Sequence, residues 1–214
     1  MNCTLCDSSS TEFAITRLGK QYFQCSNCKL VFLNPKQQMG FFEEKARYQT
    51  HNNDIKQAGY RRFLNQMWEP LRDSLPHKDV SILDFGCGPT KAFAELALED
   101  GFVVESYDPY FFNDKDVLNR KYDVLWCSEV FEHFNSPAES VDKVFSLVNP
   151  GGAVAVMTDS YPHDPEEFKS WGYHNDPTHI TFYSSDTMNW IAQKYKFDVS
   201  VLSKRVQIFK SSTE

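Results

Sequence analysis

The sequence predicts an α/β protein in which a doubly wound, mostly parallel sheet follows a small metal-binding module. Short strands alternate with helices from residue 78 onward, and a glycine-containing turn follows the first of these strands. Two Cys-x-x-Cys pairs occupy the first 28 residues. Alternating strands and helices indicate a parallel sheet covered on both faces. We therefore expect a ribbon at 1–36, a helical lid or linker at 37–77 and an α/β domain at 78–214.

Length and composition limit the classes of protein that this chain can be. Its 214 residues are 41% hydrophobic and 24% charged, which excludes a disordered chain, a collagen-like repeat and a membrane bundle. No apolar run approaches the roughly 20 residues that span a bilayer. The first residues lack a signal-peptide pattern, so we expect a cytoplasmic protein without membrane contact. The net charge of −7 disfavours general binding to nucleic acid, although it leaves a local basic patch open.

The ribbon carries four cysteines at the spacing of a zinc site: Cys3, Cys6, Cys25 and Cys28. Each Cys-x-x-Cys forms a turn that directs two sulfurs to one point, and four thiolates complete a tetrahedron. Such a site has no open position, so the metal is structural and replaces the core that about 35 residues cannot build. Disulfides and redox chemistry are the alternatives, and a cytoplasmic setting disfavours disulfides. We expect strands at 13–15 and 21–23, and a docking or lid role rather than nucleic-acid binding.

A helical, aromatic segment follows at 41–75. Its apolar residues recur at intervals of four and define one helix face, formed by Ile55, Gly59, Phe63, Met67 and Leu71. Pro70 lies within this pattern. Because proline lacks the N–H group that a helix interior needs, we expect it to kink or split the helix.

The α/β domain can be divided from its hydrophobic pattern. We predict strands at 80–86, 103–108, 122–128 and 153–157, helices at 91–100 and 186–194, and a final antiparallel pair at 197–202 and 206–209. Gly101 is expected to end the first helix. A further helix is expected to begin with a capping box at Ser136-Pro137-Ala138-Glu139 and to end at 149–152. Only 14 residues separate Asp108 from Asp123, so we expect the sheet to be trimmed there.

The first strand of this domain leads into a turn containing Gly86 and Gly88. Glycines there let a ligand approach the backbone, and the next helix offers free N–H groups. Asp108 ends the second strand, where a carboxylate can accept both hydroxyls of a ribose. Dinucleotides and S-adenosylmethionine both fit this pattern. Lys91 replaces a glycine that dinucleotide sites use, and Asp84 can receive an amino group, so S-adenosylmethionine is favoured.

Four segments together carry a resemblance to a known family. "LDFGCGP", Asp108, "DVLWCSEVFEHF" and "NPGG" resemble the class I S-adenosylmethionine-dependent methyltransferases over about residues 78–210. The resemblance implies a Rossmann-like sheet of order 3-2-1-4-5-7-6 with strand 7 antiparallel. It also implies that the glycine turn contacts the methionine part, Asp108 the ribose, and Ser128 and Glu129 the sulfonium. The expected cofactor-binding positions are Asp84, Gly86, Cys87, Gly88, Asp108, Ser128 and Glu129.

The candidate catalytic groups follow the third predicted strand and recur near position 179. Methyl transfer to an alcohol needs a base, so His133 or His179 is one candidate, and Glu129 lies beside the methyl group. Alternatively, a divalent metal binds Glu129, Glu132, His133 and His179 and orients substrate hydroxyls. The Glu-x-x-Glu-His pattern resembles metal-dependent quinol O-methyltransferases and small-RNA 3′-terminal ribose methyltransferases. A purely structural role for these residues is the third interpretation.

We expect the chain to transfer a methyl group from S-adenosylmethionine to a small metabolite that carries a hydroxyl or amino group. The alternatives are an RNA methyltransferase, a non-catalytic cofactor-binding or docking protein, and a dehydrogenase. The loop at 160–180 and the helical segment at 41–75 are expected to cover the substrate. In this loop Trp171 and Tyr173 either stack on the substrate or hold the loop in place. Cys87 and Cys127 are expected to be buried, inert thiols.

Overall fold

The computed structural model describes residues 1–16, 18–50 and 53–211. One sheet contains β1 (Ser10–Ile15), β2 (Gln21–Cys25), β3 (Val31–Leu33) and β8 (Thr181–Phe182). The other contains β4 (Ile82–Phe85), β5 (Val104–Tyr107), β6 (Tyr122–Ser128), β7 (Val148–Met157), β9 (Phe197–Val201) and β10 (Val206–Ser211). The helices are α1 (Phe41–Tyr48), α2 (Ala58–Arg72), α3 (Ala92–Glu99), α4 (Pro137–Ser146), α5 (Pro165–Ser170) and α6 (Ser185–Tyr195). Within the described ranges, none of these helices combines the length and apolar character needed to cross a bilayer.

The six-stranded sheet has the order β5-β4-β6-β7-β10-β9. The first four strands are parallel, and β10 is antiparallel to both of its neighbours, which confirms the predicted fold class. In the described residues the sheet ends at β5, so the outermost strand implied by the resemblance is missing, as the short spacing after Asp108 predicted. A bridge between Asp108 and Phe112 and a 3-10 helix at Lys115–Asn119 occupy this segment instead.

The predicted helical segment at 41–75 is divided, but not at Pro70. Helix α2 continues through Pro70 and ends at Arg72, whereas α1 ends at Tyr48 and α2 begins only at Ala58. Pro70 donates no backbone hydrogen bond to the preceding turn, and α2 continues for only two residues beyond it. Gly59 is exposed, and the buried face of α2 consists of Leu64, Met67, Trp68 and Leu71.

Two local predictions around α4 are wrong. Pro137 occupies the first helical position as expected, but the Ser136 side chain makes no capping hydrogen bond, so the capping box does not form. The backbone of Ser136 (φ −121°, ψ 77°) lies outside the usual extended conformation of a cap. Helix α4 ends at Ser146, and 149–152 belongs to β7 instead of ending the helix. Gly152 is needed there because a Cβ would lie 2.8 Å from the Asp123 carbonyl oxygen.

The ribbon is joined to the α/β domain by backbone pairing. β3 pairs antiparallel with β8, with Val31 opposite Phe182. The predicted strands at 13–15 and 21–23 are confirmed as parts of β1 and β2. Ribbon residues also share hydrophobic clusters with the larger domain, including Cys28 with Tyr183 and Tyr22 with Phe168. The ribbon is therefore covered by the rest of the chain and does not stand apart from it.

Candidate active site

A cavity of about 640 Å³ lies at the carboxyl edge of β4, β5 and β6. Its size is within the range of small-molecule sites, roughly 300–1,000 Å³. Every predicted catalytic and cofactor-binding residue lines it: Asp84, Gly86, Cys87, Gly88, Asp108, Ser128, Glu129, His133 and His179. We call the part around the glycine turn and Asp108 the cofactor half, and the part around Glu129, His133 and His179 the acceptor half.

In the cofactor half, the glycine turn has a backbone conformation that other residues adopt only with strain. Gly86 has φ +82° and Gly88 has φ +64°. A Cβ on Gly86 would lie 2.6 Å from a methyl group of Val130, closer than atoms tolerate. The turn therefore requires glycine for its conformation and, at Gly86, for its contact with the acceptor half. Thr90, which follows this turn, donates a hydrogen bond to the Asn53 carbonyl oxygen at 3.0 Å.

Asp108 is buried and held by three backbone N–H groups. Its carboxylate accepts hydrogen bonds from Gly88 at 3.0 Å, Tyr110 at 2.8 Å and Phe111 at 3.2 Å. Burial raises the pKa of Asp108, and these three donors partly offset that rise. Since a carboxylate has about four acceptor positions, the fixed group can still accept hydroxyl donors.

Asp84 is buried close to Asp108. Burial, and secondly the charge of Asp108, raise the pKa of Asp84 well above its usual range. The nearby Lys91 acts in the opposite direction, but its ammonium lies 3.8 Å from the centre of the Phe112 ring. A cationic ligand would relieve the repulsion between the two carboxylates. S-adenosylmethionine, with an ammonium and a sulfonium, fits this half of the cavity.

In the acceptor half, two glutamates share one hydroxyl. The Tyr173 hydroxyl bonds Glu129 Oε2 at 3.0 Å and also bonds Glu132 Oε1. Burial raises the pKa of Glu129 to about 8, and the charge of Glu132 adds to this effect. Burial also raises the pKa of Glu132 to about 7, against the hydrogen bond from Tyr173. Arg205 lies 3.6 Å from Glu129 and 2.9 Å from Asp159, and supplies positive charge.

The two histidines are each oriented by a backbone carbonyl. His133 Nδ1 lies 3.0 Å from the Thr178 carbonyl oxygen, and His179 Nδ1 lies 2.7 Å from that of Tyr173. Because a carbonyl only accepts, Nδ1 carries the proton and the lone pair of each neutral ring is on Nε2. Glu132, His133 and His179 offer ligand atoms that lie within 4.8 Å of one another. Of the four predicted metal ligands, the structure brings these three together, whereas Glu129 faces Arg205.

Helix α1 covers the cavity through contacts that the sequence did not reveal. Buried Glu44 accepts hydrogen bonds from the Tyr110 hydroxyl and from Asn135. Arg47 forms an ion pair with Asp176 at 2.7 Å. These partners are separated by 66, 91 and 129 residues, so no short sequence pattern connects them.

The four ribbon cysteines converge as predicted. The sulfurs of Cys3 and Cys28 are 3.6 Å apart and those of Cys6 and Cys25 are 3.4 Å apart, and all four cysteines are free thiols. A disulfide requires about 2.05 Å. Four sulfurs about 2.3 Å from zinc would be roughly 3.8 Å apart, so this cluster has nearly the dimensions of a zinc site. Cys87 and Cys127 are buried, as expected.

Comparisons with known proteins agree with this geometry. Among curated proteins, the ubiquinone biosynthesis O-methyltransferase of Pectobacterium atrosepticum is 35% identical over 80 residues, which is 37% of this chain and 33% of that protein. The chain thus spans about a third of the length of the curated relatives it matches.

Two solved structures show the same fold at low sequence identity. The magnesium protoporphyrin IX methyltransferase of Synechocystis PCC 6803, solved with bound SAH, has 16% identity and a TM-score of 0.53 over 82% of this chain and 89% of that one. An O-methyltransferase family protein from Burkholderia thailandensis has 14% identity and a TM-score of 0.52 over 80% and 64%. A family model described as "Methyltransferase domain" matches residues 50–201, well over half of the sequence. The chain therefore belongs to the methyltransferase-domain family.

Proposed function

We propose that this chain transfers a methyl group from S-adenosylmethionine to a hydroxyl group of a small molecule. The observation that carries the proposal is a single cavity lined by the glycine turn, Asp108, His133 and His179, with buried Glu132 close to the two histidines. The cofactor half supplies backbone N–H groups and buried carboxylates, and the acceptor half supplies bases and possible metal ligands. Family membership supports the reaction class.

In this proposal each cofactor-binding position has a defined task. Asp108 accepts the ribose hydroxyls, and the turn from Gly86 to Gly88, including the Cys87 backbone, follows the methionine part. Asp84 receives the amino group, and Ser128 and Glu129 lie beside the sulfonium. When bound, S-adenosylmethionine supplies an electrophilic methyl group.

The chemistry of the cavity favours a small, uncharged acceptor with a planar or apolar part. Aromatic rings line much of it, among them Tyr48, Tyr60 and Phe63, together with the carboxylates of Asp84, Asp108, Glu129 and Asp176. Phosphates would be repelled by these carboxylates, so RNA is the less favoured acceptor. The curated relatives are named as O-methyltransferases of ubiquinone biosynthesis, which agrees with oxygen as the accepting atom.

A hydroxyl acceptor must lose its proton during the displacement. His133 and His179 line the cavity, and each has a ring nitrogen within 4.8 Å of a Glu132 carboxylate oxygen. We favour the interpretation that Glu132, His133 and His179 hold a divalent cation, which would lower the pKa of a bound hydroxyl. Two imidazoles and one carboxylate suit Mn²⁺, Co²⁺ or Zn²⁺. In the metal-free alternative, His179 or His133 takes the proton directly.

The ribbon and lid complete the proposed assembly. We propose that Cys3, Cys6, Cys25 and Cys28 hold one structural zinc, because their sulfurs are at the required spacing. Elemental analysis should find about one zinc per chain in the purified protein, and Cys28→Ser should lose it. Helix α1 and the loop at 160–180, which contribute Tyr48, Asp176 and His179 to the cavity, form the proposed substrate lid.

Tritium-labelled S-adenosylmethionine tests the reaction. The protein is incubated with a panel of catechols, phenols, polyols and amines, with a short RNA, and without acceptor, each with and without Mn²⁺. We expect label in a small hydroxylated compound and one S-adenosylhomocysteine per methyl transferred. Label only in RNA would establish the alternative acceptor. Binding of S-adenosylhomocysteine with no labelled product would favour a non-catalytic protein.

A further inference from the structure

We propose that Tyr173 is a positioning residue that presents Glu132 and His179 to a divalent cation. The inference rests on the proposed function and assigns a specific task to a residue outside the predicted ligand set. Tyr173 reaches the cluster through two different groups, its hydroxyl and its main-chain carbonyl.

The hydroxyl of Tyr173 orients the carboxylates. It bonds Oε2 of Glu129 and Oε1 of Glu132, and so holds one oxygen of each. The other two oxygens, Glu129 Oε1 and Glu132 Oε2, are buried and have no hydrogen-bond partner in the described part of the chain. Arg205 lies 3.6 Å from Glu129 Oε1. Oε2 of Glu132 is therefore a buried acceptor that a cation or a proton would satisfy.

The carbonyl of Tyr173 orients His179. It accepts a hydrogen bond from Nδ1 at 2.7 Å, which places the lone pair on Nε2. Fixing both the carboxylate and the imidazole through a single residue keeps their ligand atoms at a constant separation. Metal-binding histidines commonly depend on such a partner at the second ring nitrogen.

Tyr173 is itself held in place by its neighbours. Its ring centre lies 4.2 Å from that of His179 and 5.1 Å from that of Trp171, and the Arg205 guanidinium lies 5.3 Å from the ring. These contacts involve the ring and not the hydroxyl. Tyr173→Phe should therefore preserve the ring packing and remove the hydroxyl contacts, which are those to the two glutamates and a longer one of 3.5 Å to the Thr158 hydroxyl.

Mn²⁺ binding to the full chain, followed by electron paramagnetic resonance, tests the inference. The matched control is Tyr161→Phe, because the Tyr161 hydroxyl is also bonded, but to the Lys29 carbonyl oxygen at 2.6 Å and to Gln24 instead of the two glutamates. We expect Tyr173→Phe to weaken Mn²⁺ binding about 10- to 100-fold and Tyr161→Phe to change it less than twofold. Affinity for S-adenosylhomocysteine should be the same in all three proteins.

A double-mutant cycle with Glu132→Gln adds a second readout. If Tyr173 acts through Glu132, the combined variant should bind Mn²⁺ little more weakly than Glu132→Gln alone, whereas additive losses would contradict the inference. Equal Mn²⁺ affinity in Tyr173→Phe and Tyr161→Phe would overturn it, as would an unmodified protein that binds no Mn²⁺. A protein that fails to bind S-adenosylhomocysteine would instead overturn the proposed function.

Discussion

The two halves of the cavity are built in different ways. The cofactor half is formed mainly by backbone: two glycines with positive φ and three N–H groups that hold Asp108. The acceptor half is formed by side chains that depend on one another, with Tyr173 bonded to two glutamates and carbonyls holding two histidines. We infer that the cofactor half depends on few side chains, chiefly Asp84 and Asp108, whereas the acceptor half fails when one member is removed.

The halves also differ in how their charges are balanced. The charge of Asp108 adds to the cost of ionising Asp84, and Lys91, which acts in the opposite direction, lies over the Phe112 ring. In the acceptor half, Arg205 lies close to Glu129 and Asp159. The carboxylates of the cofactor half are thus suited to a positively charged ligand. In the acceptor half, Arg205 already neutralises part of the negative charge.

The largest effect should come from His179→Ala. Loss of this imidazole removes either a base or a metal ligand, and we expect methyl transfer to slow by about 10²- to 10⁴-fold. The dissociation constant for S-adenosylhomocysteine should not change, because the cofactor half is untouched. His163→Ala is the matched control, since His163 is exposed and lies outside the cavity lining. Equal activity in the two variants would show that His179 has no chemical role.

Asp108→Ala should weaken binding of the cofactor more than it slows the methyl-transfer step. Charge-assisted hydrogen bonds contribute about 1.5–3 kcal/mol, so we expect the dissociation constant for S-adenosylhomocysteine to rise about 10- to 150-fold by calorimetry. The melting temperature should also fall, because three backbone N–H groups lose their acceptor. The exposed Asp198→Ala serves as control. Unchanged affinity would remove Asp108 from the cofactor site.

Asp84→Asn should stabilise the folded protein but weaken cofactor binding. The pKa of Asp84 is raised in the folded state, so the folded protein binds this proton more tightly than the unfolded chain. Ionised Asp84 therefore destabilises the protein at neutral pH, and the penalty disappears as pH falls. The amide should raise the melting temperature at pH 7 and weaken cofactor binding roughly fivefold, or about 1 kcal/mol. A lower melting temperature would contradict this account of the burial cost.

Ser136→Ala should have the smallest effect. Ser136 lines the cavity, but its side chain does not cap α4. We expect the free energy of unfolding to change by less than about 0.5 kcal/mol in urea. Asp164→Ala should cost about 1 kcal/mol, because Asp164 caps α5 by accepting bonds from Glu166 and Glu167. A large loss in Ser136→Ala would mean that residues outside the hydrogen-bond network also hold the acceptor half.

The contrast between the two halves of the cavity also explains which parts of the site could be predicted from the sequence. The cofactor half lies within residues 84–108, where strand, turn, helix and acid follow at fixed spacings, and β6 was predicted with its observed limits. Contacts between distant segments were not predictable. Tyr173 is 41 residues from Glu132, and Arg47 is 129 residues from Asp176.

Local patterns also failed where tertiary packing decided the outcome. Pro70 lies inside α2 although it cannot donate a hydrogen bond to the preceding turn, and Ser136 did not cap α4 because its backbone is not in the capping conformation. The resemblance implies one more strand beyond β5 at the edge of the sheet. The 14 residues between Asp108 and Asp123 are too few for it, so its absence was predictable from this spacing.

Thermal unfolding with S-adenosylhomocysteine tests the central claim most directly. At about 100 times its dissociation constant, a ligand adds roughly 2.7 kcal/mol, which corresponds to a rise of about 5–10 °C for a chain of this size. We predict that rise with S-adenosylhomocysteine and none with NAD. Stabilisation by NAD, or no response to S-adenosylhomocysteine at saturating concentration, would contradict a cofactor site at the carboxyl edge of β4 and β5.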